Sequence, residues 1–511
     1  MANAEYTPLQ MPAGILKAAS PEDAPGRWYD GHMVRWINGV LRPIGGTVRE
    51  SITGAFPFAS TVRAIHQWQD NSGIVWTAVL CEKHIYAISG GLSIDITPTD
   101  GFQGPPDSLT EGGYGDYDYS YDTYGTPRPN RPIVKAIGPA WTVDNWGQNL
   151  LVMSSYDGRL LMWDPSTEAT PLTAVANAPV GNRCFVVTPE RHVIIFGYAG
   201  LFNQFGWCDQ NNITNWTPSI TSLAGSYTVE PAAPILCAKS TRYGTLFFTA
   251  RASYFTRYLG APYVYSNERL SDGAAPICPQ SLVEFGGNAV WYSEDGFWRF
   301  DGAFTYPMPS DLLDFLQQNQ DSVYTRMRCF GVNLLTQSEI WWGWPTTDNQ
   351  ECNMFVIWNF KENWWSKVVG MARTCGFSGS YINYPLFSEG QNVIEHENGT
   401  FIQDTGVALP YVTSGALNLQ SGAYLVTINK MVPNTGGNPS SITFNLTSLL
   451  QRSDNTKIVN NTGPLQIWPD GLLRFSLTGR DIRLMIQQAS NGAPPWTQGQ
   501  MLINVAKRGK L

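Results

Sequence analysis

Five histidines, His32, His66, His84, His192 and His396, are the whole supply of imidazole in this chain. No two stand at metal-ligand spacing, and no H-E-x-x-H pair sets two imidazoles on one helical turn. Each therefore reads as a structural or surface side chain. The eight cysteines, Cys81, Cys184, Cys208, Cys237, Cys278, Cys329, Cys352 and Cys375, are scattered, with no C-x-x-C pair. They read as small buried hydrophobes in a reducing compartment rather than as a disulfide framework. No G-x-S-x-G turn, phosphate-binding loop or G-x-G-x-x-G in a strand–helix setting is present.

Two carboxylate sets remain. Ser293-Glu294-Asp295-Gly296 approaches the Asp-box turn of sialidases, but lacks the residue between Asp and Gly and the Thr-Trp that follows. Glu395-His396-Glu397 alternates two acids along one strand face, a pattern able to hold a cation. Beside the Asn398-Gly399 turn a solvated role fits it better. A glycosidase needs a carboxylate pair roughly 5 to 10 Å apart, and distant residues could still assemble one at a sheet mouth. On these grounds the chain is read as a non-enzyme with no catalytic residue, no metal ligand and no cofactor.

The elements that would position any such residue are β-strands. Of the 511 residues 43% are hydrophobic, 13% aromatic and only 14% charged. Aromatic residues favour strands, and 49 Gly with 34 Pro supply frequent turns. A surface rich in Asn, Gln, Ser, Thr and Tyr but poor in charge suits permanent contacts, because uncharged polar groups are cheaper to desolvate. The net charge of −8 argues against a DNA-coating protein. It is compatible with a channel wall that repels phosphates. The N-terminus has no basic, apolar leader, and no run of about 18 apolar residues occurs, so the reading is of a cytoplasmically made chain with no membrane span.

Residues 1–54 form an N-terminal segment. In it, the run His32 to Ile37, the turn Asn38-Gly39 and the run Val40 to Ile44 predict a β-hairpin, since both turn positions tolerate positive φ. Residues 55–405 repeat short apolar runs between turn residues. The Asp-Gly turns at 157 and 295 follow matching strands 138 positions apart, about three units of the length of a propeller blade. Further units are placed near Ala64, Cys184, Gly244, Ile340 and Phe355. The expectation is an all-β fold, a β-propeller of six or seven blades, against the alternative of two successive β-sandwiches. An inserted Tyr/Gly/Asp-rich loop, 100–132, interrupts it. Ser310 to Gln320 predicts a short helix capped by Ser310. Residues 406–511 form a smaller β-sandwich-like domain ending in a solvated tail, Lys507 to Leu511.

The run from Trp28-Tyr29-Asp30-Gly31 through Arg35, Asn38-Gly39 and Arg42 to Gly45-Gly46 resembles the opening of the tail hub and nozzle proteins of short-tailed bacteriophages. That family comprises the packaged-DNA stabilisation and tail tubular B proteins. Gly479-Arg480-Asp481-Ile482-Arg483-Leu484, Trp496-Thr497-Gln498-Gly499 and the strand Met501 to Val505 look familial too. The resemblance covers both ends and not the middle. It implies a virion tail component assembled as a homo-oligomeric, hexameric ring that continues and gates the DNA ejection channel. Its partners would be tail adaptor proteins, fibre or tip proteins, and DNA in passage without sequence-specific binding. No individual residue role transfers. The alternative from a different class is a propeller-type carbohydrate-binding or glycan-degrading virion protein.

Overall fold

Strands such as Val193–Phe196 and Glu339–Trp344 are buried at every position, so the sheets they form are apolar on both faces and need a cover on each side. The computed structural model describes residues 5–49, 57–107, 110–111, 131–132, 138, 140–168, 170–419, 424–451 and 457–510. Seven four-stranded antiparallel sheets solve the covering problem by standing side by side around an axis. They span 62–95, 141–174, 184–228, 235–272, 283–308 and 330–373, and the seventh joins 375–396 to Thr47–Arg49. Each first strand neighbours the first strand of the next sheet, and the seventh returns to the first. This is a seven-bladed β-propeller, numbered here from blade 1 at 62–95. Separate apolar clusters fill the wedges. Trp68, Trp76, Trp141 and Trp163 lie between blades 1 and 2, and Phe248, Phe255, Trp291 and Phe300 between blades 4 and 5.

The ring closes with a strand from the far end of the sequence. Thr47–Arg49 pairs with Asn392–His396 as the outermost strand of blade 7, so 375–396 alone would leave that sheet a strand short. A buried polar knot holds the join. Arg373, fully buried, donates from Nε to His396 Nε2 (2.7 Å) and from both Nη atoms to Asp404 (2.6 and 3.0 Å). Thr47 Oγ1 donates to the same carboxylate at 2.8 Å. Burial alone would raise Asp404, but these hydrogen bonds outweigh it and hold the carboxyl below its ordinary value.

Apart from the short pairing of Thr110–Glu111 with Arg131–Pro132, the remaining strands form three antiparallel sheets built from both ends of the chain. Glu5–Leu9 pairs with Met501–Lys510, which pairs with Tyr424–Val432 and so reaches Leu473–Gly479. Trp28–His32 pairs with Tyr411–Ser414, and Asp481–Gln488, Ile442–Gln451 and Lys457–Asn461 follow. The hairpin Val34–Ile37 and Val40–Pro43 adds Trp496–Gln498 and Thr435–Gly437. The N-terminal segment 1–54 thus does not stand apart: its strands complete the sheets of 406–511 and blade 7.

This terminal module shares one continuous hydrophobic core with blades 5 and 6, in which Trp36 meets Trp364 edge-on at 5.5 Å. Residues 14–38 run along the outer strand of blade 6, Trp364–Arg373. Ile15 N donates to Trp365 O, Ser366 Oγ to Val34 O and Val369 N to His32 Nδ1. Arg35 is buried at this junction, donating to Glu339 of blade 6 at 2.9 Å and to Glu397 at 2.5 Å. Glu397 also accepts from Gly45 N at 3.0 Å.

Several local expectations shift. Asn38 (φ 52°) and Gly39 (φ 72°) make the expected turn, but the hairpin starts at Val34. Met33, at φ 54°, breaks the run and sends His32 into a different sheet. The helix is Leu313–Asn319, preceded by Leu312, and a second helix, Ser322–Arg328, follows. Asp321 caps that helix by accepting from Val323 N and Tyr324 N. Gly244, Ile340 and Phe355 belong to second and third strands, not to blade starts. The backbone of the tail, expected as a solvated end, pairs as a strand out to Lys510 opposite Tyr424. The Tyr-rich run Gly112 to Tyr121 lies outside the described residues.

Two expected outcomes follow from the junction. Arg35→Met leaves Glu339 buried without its cation, and chemical denaturation should show a loss of about 3–5 kcal/mol. A loss below about 1 kcal/mol would mean that packing alone seats the module. His32 is held neutral in the fold: burial first, then Lys367, lowers its pKa from 6.5 to about 4. The unfolded chain therefore binds more protons between these values, and stability falls as pH drops from about 6.5 towards 4. His32→Asn, whose Oδ1 can take over the Val369 contact, should flatten part of the pH dependence of the melting temperature. An unchanged profile would count against the assignment.

Candidate functional site

The histidines lie apart. His84 is on the surface, stacked on Tyr86 and 3.2 Å from Asp95 Oδ2. His192 is buried and hydrogen-bonds Cys208 O through Nδ1 at 2.8 Å. His32 and His396 serve the module junction and the ring closure. His66 reaches the axis of the propeller, 2.7 Å from Asn145 Oδ1, and burial lowers its pKa. Among the described residues no three His, Cys, Asp or Glu side chains converge as a metal cage. All eight cysteines are buried and unpaired, and burial raises their pKa values, Cys184 and Cys278 to about 12. Such thiols are poor nucleophiles.

Both carboxylate sets are taken up structurally. Asp295 accepts from Trp298 Nε1 at 2.9 Å, and Glu294 pairs with Arg326 of the second helix. Glu397, at φ 63°, turns inward onto Arg35, while Glu395 accepts from Asn398 Nδ2. Neither a cation site nor a solvated turn describes them: Glu397 belongs to the buried junction.

The geometry instead brings together residues that carry no motif. The seven first strands surround an axial cavity of ≈ 540 Å³. Along those strands the lining changes character. Where they begin it holds Arg63, Trp141, Arg183 and Gln280. Midway it is small and weakly polar, with Ala64, Cys184, Cys237, Gly331 and Gly376. Gly331 is required there, because a Cβ would lie 2.3 Å from Val283 Cγ2. Where the strands end it holds His66, Asp144, Lys239, Glu284, Asn333 and Ser378. Asp144 and Glu284 are the two carboxylates on the described cavity wall, on blades 2 and 5. Glu284 also accepts from Gly287 N at 2.7 Å, which ties it to its own hairpin turn.

A second feature is a face. The turns joining first to second and third to fourth strands lie at the end of the propeller where the first strands finish. They carry exposed Leu92, Ile220, Tyr243, Leu259, Tyr263 and Phe304, the last two 76% and 72% accessible. The opposite end also exposes Val180, Leu201 and Phe202, so apolar exposure is not confined to this face. No helix among the described residues is long and apolar enough to cross a membrane. The sequence carried one usable signal for the axis, the register of the first strands, and it becomes readable only once the blades are counted.

No known family description matches the chain, and no curated protein matches it. Among solved structures, the β-propeller domain of Cps50 (Swd1) from Myceliophteria thermophila matches at 9% identity over 69% of this chain and 99% of its own, with a TM-score of 0.37. The N-terminal domain of Nup159 matches at 9% identity over 70% and 95%, with a TM-score of 0.35. An exo-β-1,3-galactanase from Phanerochaete chrysosporium matches at 10% identity over 90% and 100%, with a TM-score of 0.29. Likeness this slight transfers nothing of what those proteins do, and the propeller rests on the strand pairing of this chain itself.

Proposed function

We propose that this protein is a structural component of a short-tailed phage tail, a hub or nozzle that continues and gates the DNA ejection channel. The observation that carries the reading is where the two resembling segments lie. They are more than four hundred residues apart in sequence. Trp28–His32 and Asp481–Gln488 nevertheless belong to one sheet, with Tyr411–Ser414 between them. Leu41 pairs with Gln498 in another. The resembling segments thus lie in one module, bound to blade 6 by a shared core. A low-charge surface and an apolar propeller face suit permanent neighbours such as further copies, adaptor rings and fibre or tip proteins. Mass measurement and negative-stain imaging of the purified protein, alone and with adaptor rings, should reveal a ring of about six chains. A monomer that joins no adaptor would overturn the reading.

A second reading, a glycan-binding or glycan-cleaving propeller, draws on the axial cavity. Its walls combine Asp144 and Glu284 with aromatic and amide groups, a set suited to sugar hydroxyls. Incubation with host polysaccharide should then release reducing ends, and Asp144→Asn or Glu284→Gln should abolish the release. No release above background removes the cleaving form of this reading.

A further inference from the structure

At the end of the axis where the first strands begin, hydrogen-bond donors gather without enough acceptors. The indole Nε1–H of Trp141 is buried and meets no acceptor among the described protein groups. Its ring is held by stacking on Phe102 at 5.5 Å. Arg328, also buried, donates from Nη2 to the carbonyls of Asp107 and Pro106. Its Nε–H is left without a hydrogen bond, 3.6 Å from Glu351 Oε1. Both side chains line a pocket of ≈ 10 Å³, together with Arg63, Pro105, Gln280 and Thr374. That is the volume of about one water-sized body. Arg63, Trp141 and Gln280 also line the larger axial cavity, so the two spaces share a wall.

The charges around the pocket favour an anion. Asp107 and Glu351 are both engaged by Arg63, through Asp107 Oδ1 at 2.9 Å and a two-pronged contact to Glu351 at 2.8 Å for each oxygen. Arg63 and Arg328 thus balance these two acids. Arg183 lines the same end of the axial cavity; its guanidinium donates to Gly138 O at 2.9 Å, and among the described residues no carboxylate pairs with it. Arg183 and Arg328 both lie close enough to act on the buried thiol of Cys278. Among the described residues the mouth therefore carries Arg183 beyond these two pairs, and two buried donors that make no hydrogen bond. Unmatched donors of this kind cost free energy unless something accepts from them.

We propose that this mouth binds a small monovalent anion, chloride or the carboxylate of a small ligand whose body occupies the axial cavity. The anion accepts from Trp141 Nε1–H and Arg328 Nε–H, and Arg183 supplies the balancing charge. The site rests on the propeller, is independent of the tail reading, and shares the axial cavity with the glycan reading.

The test is the melting temperature of the full chain at constant ionic strength, as a bulky sulfonate is exchanged for chloride or for acetate. For the wild type the expected result is a saturable rise with either small anion, as binding to the native state alone requires. Trp141→Phe keeps an aromatic ring against Phe102 and removes the donor, at the cost of a small cavity. Measured against its own melting temperature in sulfonate, its anion midpoint should weaken by about tenfold or more. A rise that does not saturate, a rise equal in Trp141→Phe, or no rise, as a bound water would give, overturns the site. If that variant does not fold, Arg328→Lys and anomalous diffraction from bromide-soaked crystals decide the matter. A bromide peak beside Trp141 Nε1 supports the site, and its absence at that atom sinks it.

Discussion

A four-stranded sheet whose two faces are both apolar has no stable existence alone, and that constraint organises the molecule. Seven such sheets cover one another around an axis, and the arrangement succeeds only if the last covers the first. Thr47–Arg49 supplies the outer strand of blade 7, so the circle is completed by residues more than three hundred positions away from their partners. The buried knot of Arg373, Asp404, Thr47 and His396 sits at that join. Non-local closure of this kind makes the propeller one cooperative unit, since opening blade 7 exposes its wedges with both neighbours.

The same stretch of chain does two jobs. After building the terminal module it runs along blade 6 and then into blade 7, so module and propeller share the Trp36, Trp342, Trp364 and Trp365 core. Arg35 lies in that seam between two carboxylates. Burial above all, joined by the nearby Glu397 charge, holds the Glu339 carboxyl above its ordinary value despite Arg35. Buried ion pairs contribute little net stability, but a misplaced register would strand them uncompensated.

Chemistry and recognition are divided between places. The axis is polar at both ends and small in the middle, whereas exposed apolar side chains such as Tyr263 and Phe304 lie on the turns of the face where the first strands finish. The proposed ring contacts use that face or the module, and the proposed ligand uses the axis. The two roles make no competing demand on the same residues.

Much of the fold was legible in one dimension. Turn chemistry and alternation revealed the blades, and the Asp-Gly pair at 157 and 295 falls after the second strands of blades 2 and 5, three blades apart. Asn38-Gly39 marked its hairpin because only residues tolerant of positive φ can sit there. Local rules could not show that His32 and Val34 enter different sheets, that Glu397 faces inward, or that the tail pairs as a strand. Those outcomes depend on partners hundreds of residues away. The axial residues, Arg63, Trp141, Arg183, Asp144 and Glu284, were invisible for the same reason. Each is an ordinary strand or edge residue, and only the closed ring sets them side by side. Sequence determined which segments would be strands, because that choice rests on side-chain shape and turn geometry within a few residues. Tertiary structure alone decided which strands meet and which polar groups are buried together, because those choices rest on covering apolar faces across the whole chain.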